Sequence, residues 1–171
     1  MKKLLIIILL ASATLTQAQD FKGLDKSPMD RVFYPPSNRD TDKAIVITYS
    51  RPQLRGRNLE DVVPSHKIWR TGANEATEIR LNKPIKLGDK IIKAGTYTMY
   101  SYPKDNSSEI IINSAKYVWG AYRYDQSKDV ARLEVPVLQS TEYLEAFSLA
   151  FSGNGCLLYT SDAADDTPCV D

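Results

Sequence analysis

Apolar and polar residues alternate with a period of two along much of the chain between residues 44 and 151. Successive side chains of a strand point to opposite faces, so this period predicts half-buried β-strands. Ala44-Ile45-Val46-Ile47-Thr48-Tyr49 is β-branched and aromatic, the composition of a buried strand. Glu78-Ile79-Arg80-Leu81 alternates as a half-exposed strand does. Ile85-Lys86-Leu87 and Lys90-Ile91-Ile92 flank Gly88-Asp89, residues that accept turn dihedrals, which predicts a tight hairpin. Residues 96–102 and 109–113 flank a polar stretch, 103–108, and predict a second antiparallel hairpin with a longer loop. Arg132-Leu133-Glu134-Val135 and residues 145–151 add two strands, and the second places Phe147, Leu149 and Phe151 on one face.

Helical periodicity is short. Residues 59–63 and 141–144 each carry enough for about one turn, below the length at which a helix is stable by itself. The expected fold is therefore all-β: a single antiparallel β-sandwich or jelly-roll-like domain over residues 43–155. Residues 19–42 are polar, contain Pro35-Pro36, and are expected as an extended arm.

Both ends differ from this pattern. Lys2 and Lys3 precede the apolar run Leu4 to Leu10, and Thr16-Gln17-Ala18 supplies small side chains for signal peptidase, so residues 1–18 are expected as a signal peptide cut after Ala18. The run is too short for the ~20 apolar residues that cross a bilayer. A secreted or periplasmic protein with no membrane insertion after cleavage is expected. At the other end, residues 156–165 read Cys-Leu-Leu-Tyr-Thr-Ser-Asp-Ala-Ala-Asp. One back-translation resembles a transposon end and adapter used for sequencing libraries, so residues 156–171 are expected as a tail appended to a truncated gene. The competing reading is a natural acidic tail with a Cys156–Cys169 disulfide.

Charge and composition narrow the chemistry. The 171 residues carry 22 Lys+Arg and 21 Asp+Glu, a net charge of +1. That balance argues against a nucleic-acid surface. His66 is the single histidine, so zinc sites of several His or Cys ligands are not available outside the two tail cysteines. No EF-hand loop and no Gly-rich phosphate loop occurs. No cofactor is expected.

Candidate chemistry concentrates between Tyr49 and Glu78. Arg51, Arg57 and Arg70 present planar donors suited to a carboxylate or phosphate, and are expected to converge. Trp69 offers a flat face for stacking, and Tyr49, Asn74 and Glu75 offer polar groups to orient a ligand. The structural alternative is an Arg70–Glu75 ion pair with Trp69 capping the core. Glu75 and Glu78 are three apart, which in a strand sends them to opposite faces. A second cluster, Tyr117-Val118-Trp119-Gly120-Ala121-Tyr122-Arg123-Tyr124-Asp125, is either a sugar- or peptide-binding face or a strand-and-turn segment whose Trp119 packs into the core and whose tyrosines cover its edge. The second is the expected arrangement, since aromatics are ordinary β formers.

Tyr-Ser-Arg-Pro at 49–52, Gly-Arg at 56–57, Val-Pro at 63–64 and Trp-Arg-Thr-Gly-Ala-Asn-Glu-Ala-Thr at 69–77 resemble the family called domain of unknown function 2911. Ser27-Pro28 with Asp30, Ala94-Gly95-Thr96-Tyr97 and Trp119-Gly120-Ala121-Tyr122 fit its other blocks. The resemblance covers about residues 26–151. It implies a secreted protein of the kind found mainly in Bacteroidetes, with no assigned activity. Many members carry His where this chain has Met29, and members usually continue with one more strand after the Phe147–Phe151 run. A non-catalytic module binding a small polar or anionic ligand, or a glycan, is the expected function. The alternatives are a hydrolase using Glu75 or His66 and a structural envelope protein.

Overall fold

A computed structural model describes residues 21–140 and 143–152, together with the backbone of 157–160. The expected signal peptide lies outside the described residues, as do both cysteines. Ten strands are described: β1 (Met29–Tyr34), β2 (Ile45–Ser50), β3 (Glu78–Leu81), β4 (Ile85–Leu87), β5 (Lys90–Ile92), β6 (Gly95–Pro103), β7 (Ser107–Asn113), β8 (Asp129–Pro136), β9 (Ser148–Phe151) and β10 (Leu157–Thr160). No α-helix occurs among the described residues, only 3-10 turns at Leu59–Asp61 and Gln126–Lys128.

The principal sheet has the order β1-β2-β3-β6-β7-β8, and every pairing is antiparallel. It is a meander interrupted once by the β4–β5 ribbon. A second ribbon, β9–β10, lies beside β1. The all-β antiparallel sandwich is thus the architecture: one broad sheet with small ribbons against one of its faces.

Register explains the core. Ile47, Ile79 and Tyr97 are cross-strand partners on one face, as are Met99, Ile112 and Ala131 farther along. Trp69, Phe147 and Leu149 cover this face. Phe147 is the centre of an aromatic group, edge-on to Trp69 at 5.1 Å and to Tyr49 at 5.6 Å between ring centroids, geometries that aromatic rings prefer. A smaller cluster on the opposite face is built on Tyr100 and Ile111.

Three expectations change. Met29–Tyr34 is an edge strand of the principal sheet rather than part of an irregular arm. Val32, Phe33 and Tyr34 supply the β-forming side chains that justify it. The loop of the β6–β7 hairpin shortens to three residues, 104–106, because β6 runs on to Pro103 and β7 begins at Ser107. Leu157–Thr160, inside the segment expected as an appended tail, pairs with β9 at the edge where a missing strand was expected. Two further expectations hold: β4 and β5 turn at Gly88 with φ 56°, and Phe147, Leu149 and Phe151 all pack on the core face, although the strand expected over 145–151 starts only at Ser148 and the turn expected over 141–144 lies partly outside the described residues.

Candidate functional site

The Trp69–Thr77 block is a crossing loop rather than a strand. Trp69 forms an isolated bridge to Ser101 of β6, and Glu75 forms another to Trp119. Thr77 donates its hydroxyl to the Thr71 carbonyl at 2.6 Å, and Thr71 donates to Ser101 Oγ at 3.1 Å, both among fully buried residues. Thr71 and Asn74 adopt φ 53° and 59°. A Cβ on Gly72 would stand 2.8 Å from the Ser50 backbone oxygen, so this position has room only for glycine. The block is held rigidly from several directions.

The three arginines do not converge. Arg51 sits between strands: Nε donates to the Phe147 carbonyl at 3.0 Å, Nη2 to Ser148 Oγ at 2.6 Å, and Nη1 to Asp30 at 3.2 Å. It ties the end of β2 to β1 and to the segment leading into β9. Arg57 folds back on its own loop, donating to the Leu54 and Gln53 carbonyls. Arg70 donates only Nε, to the Gly72 carbonyl at 3.2 Å. No carboxylate pairs with it among the described residues, so the Arg70–Glu75 ion pair is not formed. Arg51 is drawn away from Arg70 by partners distant in sequence, Phe147 and Ser148, together with Asp30.

Trp69 is 4% exposed, with its ring in the core against Phe147. It has no free face for stacking. Its indole nitrogen has no hydrogen-bond partner among the described residues, a cost that the ring's packing must offset. Trp119, expected in the core, is instead 60% exposed. Tyr49 is also buried; its hydroxyl accepts from the Leu149 amide at 3.0 Å, and burial pushes its pKa up. Asn74 donates to Asp25 at 3.0 Å while its carbonyl accepts from the Gly120 amide. The Ser27 amide and Asn74 together hold the Asp25 carboxyl below its ordinary range. His66 lies on an exposed turn, 3.1 Å from Asp105.

Two cavities flank the block. One of about 330 Å³ is lined by Arg70 and Trp69 with Val62, Pro64, Ile68, Ala121 and Tyr122. It has a cation and no acid in its walls. The other, of about 150 Å³, is lined by Met29, Glu75, Glu78, Thr48, Thr98 and Tyr117, among others. Glu75 and Glu78 therefore share one cavity rather than opposite faces. Strand alternation does not apply between them, because β3 begins only at Glu78.

The chain matches, over residues 27–158, the family described as protein of unknown function DUF2911. It belongs to the DUF2911 family. No curated protein and no solved structure matches the chain. Within this DUF2911 protein, the Trp69–Thr77 and Trp119–Tyr122 segments are distant in sequence but meet at the Glu75–Trp119 bridge and the Gly120–Asn74 hydrogen bond. The second segment carries Tyr122 and Ala121 into the wall of the Arg70 cavity. Among the described residues, no helix is long and apolar enough to cross a membrane.

Proposed function

We propose that this protein is an exported, non-catalytic binding module for a small anionic ligand, held in the cavity at Arg70. The observation that carries this reading is the state of the Arg70 guanidinium. Arg51 spends its donors on protein acceptors, whereas the terminal nitrogens of Arg70 make no hydrogen bond among the described residues. A half-buried guanidinium without a carboxylate partner suits an incoming anion. The cavity volume falls at the lower end of small-molecule sites. Export rests on the charged and apolar pattern of residues 1–18.

A thermal-shift panel of acetate, citrate, inorganic phosphate and sugar acids tests the binding reading. At least one anion is expected to raise the melting temperature of the wild-type protein, and Arg70→Ala is expected to abolish that rise. No shift with any anion would overturn it. For export, the amino terminus of the secreted product is expected at Gln19.

A second reading, hydrolysis, draws on the shared cavity of Glu75 and Glu78. General acid–base chemistry draws on a pair of carboxyl groups, and these two glutamates line the same cavity. Turnover of a glycoside that Glu75→Gln eliminates would favour this reading over binding.

A further inference from the structure

Tyr122 is 82% exposed, yet its ring is held against the loop. A Cβ on Gly120 would lie 2.6 Å from Tyr122 Cε2 and 2.8 Å from Cδ2, and 3.6 Å from Arg70 Nη1. The ring, the bare glycine and the guanidinium therefore meet at one point. Gly120 has φ 67°, so both its conformation and the space around it favour glycine. Trp119, next to it in the chain, presents a second exposed ring outside the cavity.

We infer that the ligand is an acidic sugar of the uronic-acid class, with its carboxylate on Arg70 and its ring face on Tyr122. This rests on the binding function proposed above and specifies its ligand. One guanidinium between walls that carry no other charge matches a single negative charge, and its planar donor edge matches the two oxygens of a carboxylate. The electron-rich face of an aromatic ring attracts the weakly positive C–H groups along one face of a pyranose.

Calorimetric titration of the full chain with galacturonate, galactose and acetate tests this assignment. Galacturonate is expected to bind at least tenfold tighter than galactose, which lacks the acid, and than acetate, which lacks the ring. Tyr122→Ala is expected to weaken galacturonate at least tenfold, while Tyr122→Phe retains binding. Equal affinity for acetate and galacturonate, with no effect of Tyr122→Ala, would overturn the sugar assignment and leave an anion site at Arg70. Absence of binding by both acids would overturn the sugar assignment, and the thermal-shift panel then decides whether an anion site exists at all. Circular dichroism melts of each variant separate lost binding from lost folding.

Discussion

Two arginines on this protein show opposite solutions to the same problem. Arg132, on β8, has all three of its nitrogens engaged. Its Nη1 donates to Glu109 at 2.6 Å, its Nε to Asp129 at 2.9 Å, and its Nη2 to the Tyr124 hydroxyl. Tyr124 donates in turn to Asp129 at 2.5 Å, and Asn113 donates to the other Asp129 oxygen at 2.7 Å. Asp129 is nearly buried, with a side chain only 9% exposed. Arg70 has a cavity in front of it and one carbonyl as partner. The first arrangement closes a polar network and fixes the β7–β8 end of the sheet. The second leaves donor capacity open. Residue type does not separate these roles; the count of satisfied donors does.

This contrast can be broken by substitution. Arg132→Ala has the largest expected effect. Removing one partner of a buried charge pair costs roughly 3–5 kcal/mol, and partial exposure of Arg132 brings the expected loss to about 3 kcal/mol, read by denaturant unfolding. Gly72→Ala comes next, at about 2 kcal/mol, because its Cβ meets a backbone oxygen that cannot swing aside. Tyr124→Phe removes hydrogen bonds within the Arg132 network and should cost about 1 kcal/mol.

The same tyrosine predicts a pH effect. Burial, and then the adjacent Asp129, push Tyr124 from 10.0 up to about 12. Above pH 10 the unfolded chain has released this proton while the folded protein retains it. Stability therefore falls as pH rises from about 10 towards 12. Tyr124→Phe should flatten that fall in alkaline melts. The smallest stability effect belongs to Arg70→Ala, below about 1 kcal/mol, since the change breaks one hydrogen bond to a carbonyl.

The sheet was largely legible in the sequence because its signal is local. Ile47, Ile79 and Leu81 sit at alternate positions, and Gly88 marks its hairpin. β1 was less visible, being an edge strand in a polar stretch that runs into Pro35-Pro36. The candidate site was legible in composition and not in arrangement. Composition points Trp69 towards a ligand and Trp119 towards the core, and the exposures are reversed. Neither lies in a periodic segment. Their orientations follow from bridges to Ser101 and Glu75, contacts between residues far apart in the chain. Arg51 was likewise indistinguishable from Arg70 until Phe147 and Ser148 were placed beside it.

The central claim is that Arg70 is kept for a ligand and not for the fold. Thermal unfolding of wild-type and Arg70→Ala proteins, each with and without galacturonate, tests it most directly. The account predicts nearly equal melting temperatures without ligand, a rise on adding galacturonate to wild type, and no rise in the variant. A melting temperature far below wild type in Arg70→Ala, with no rise in either protein, would contradict it and make Arg70 a structural residue like Arg132.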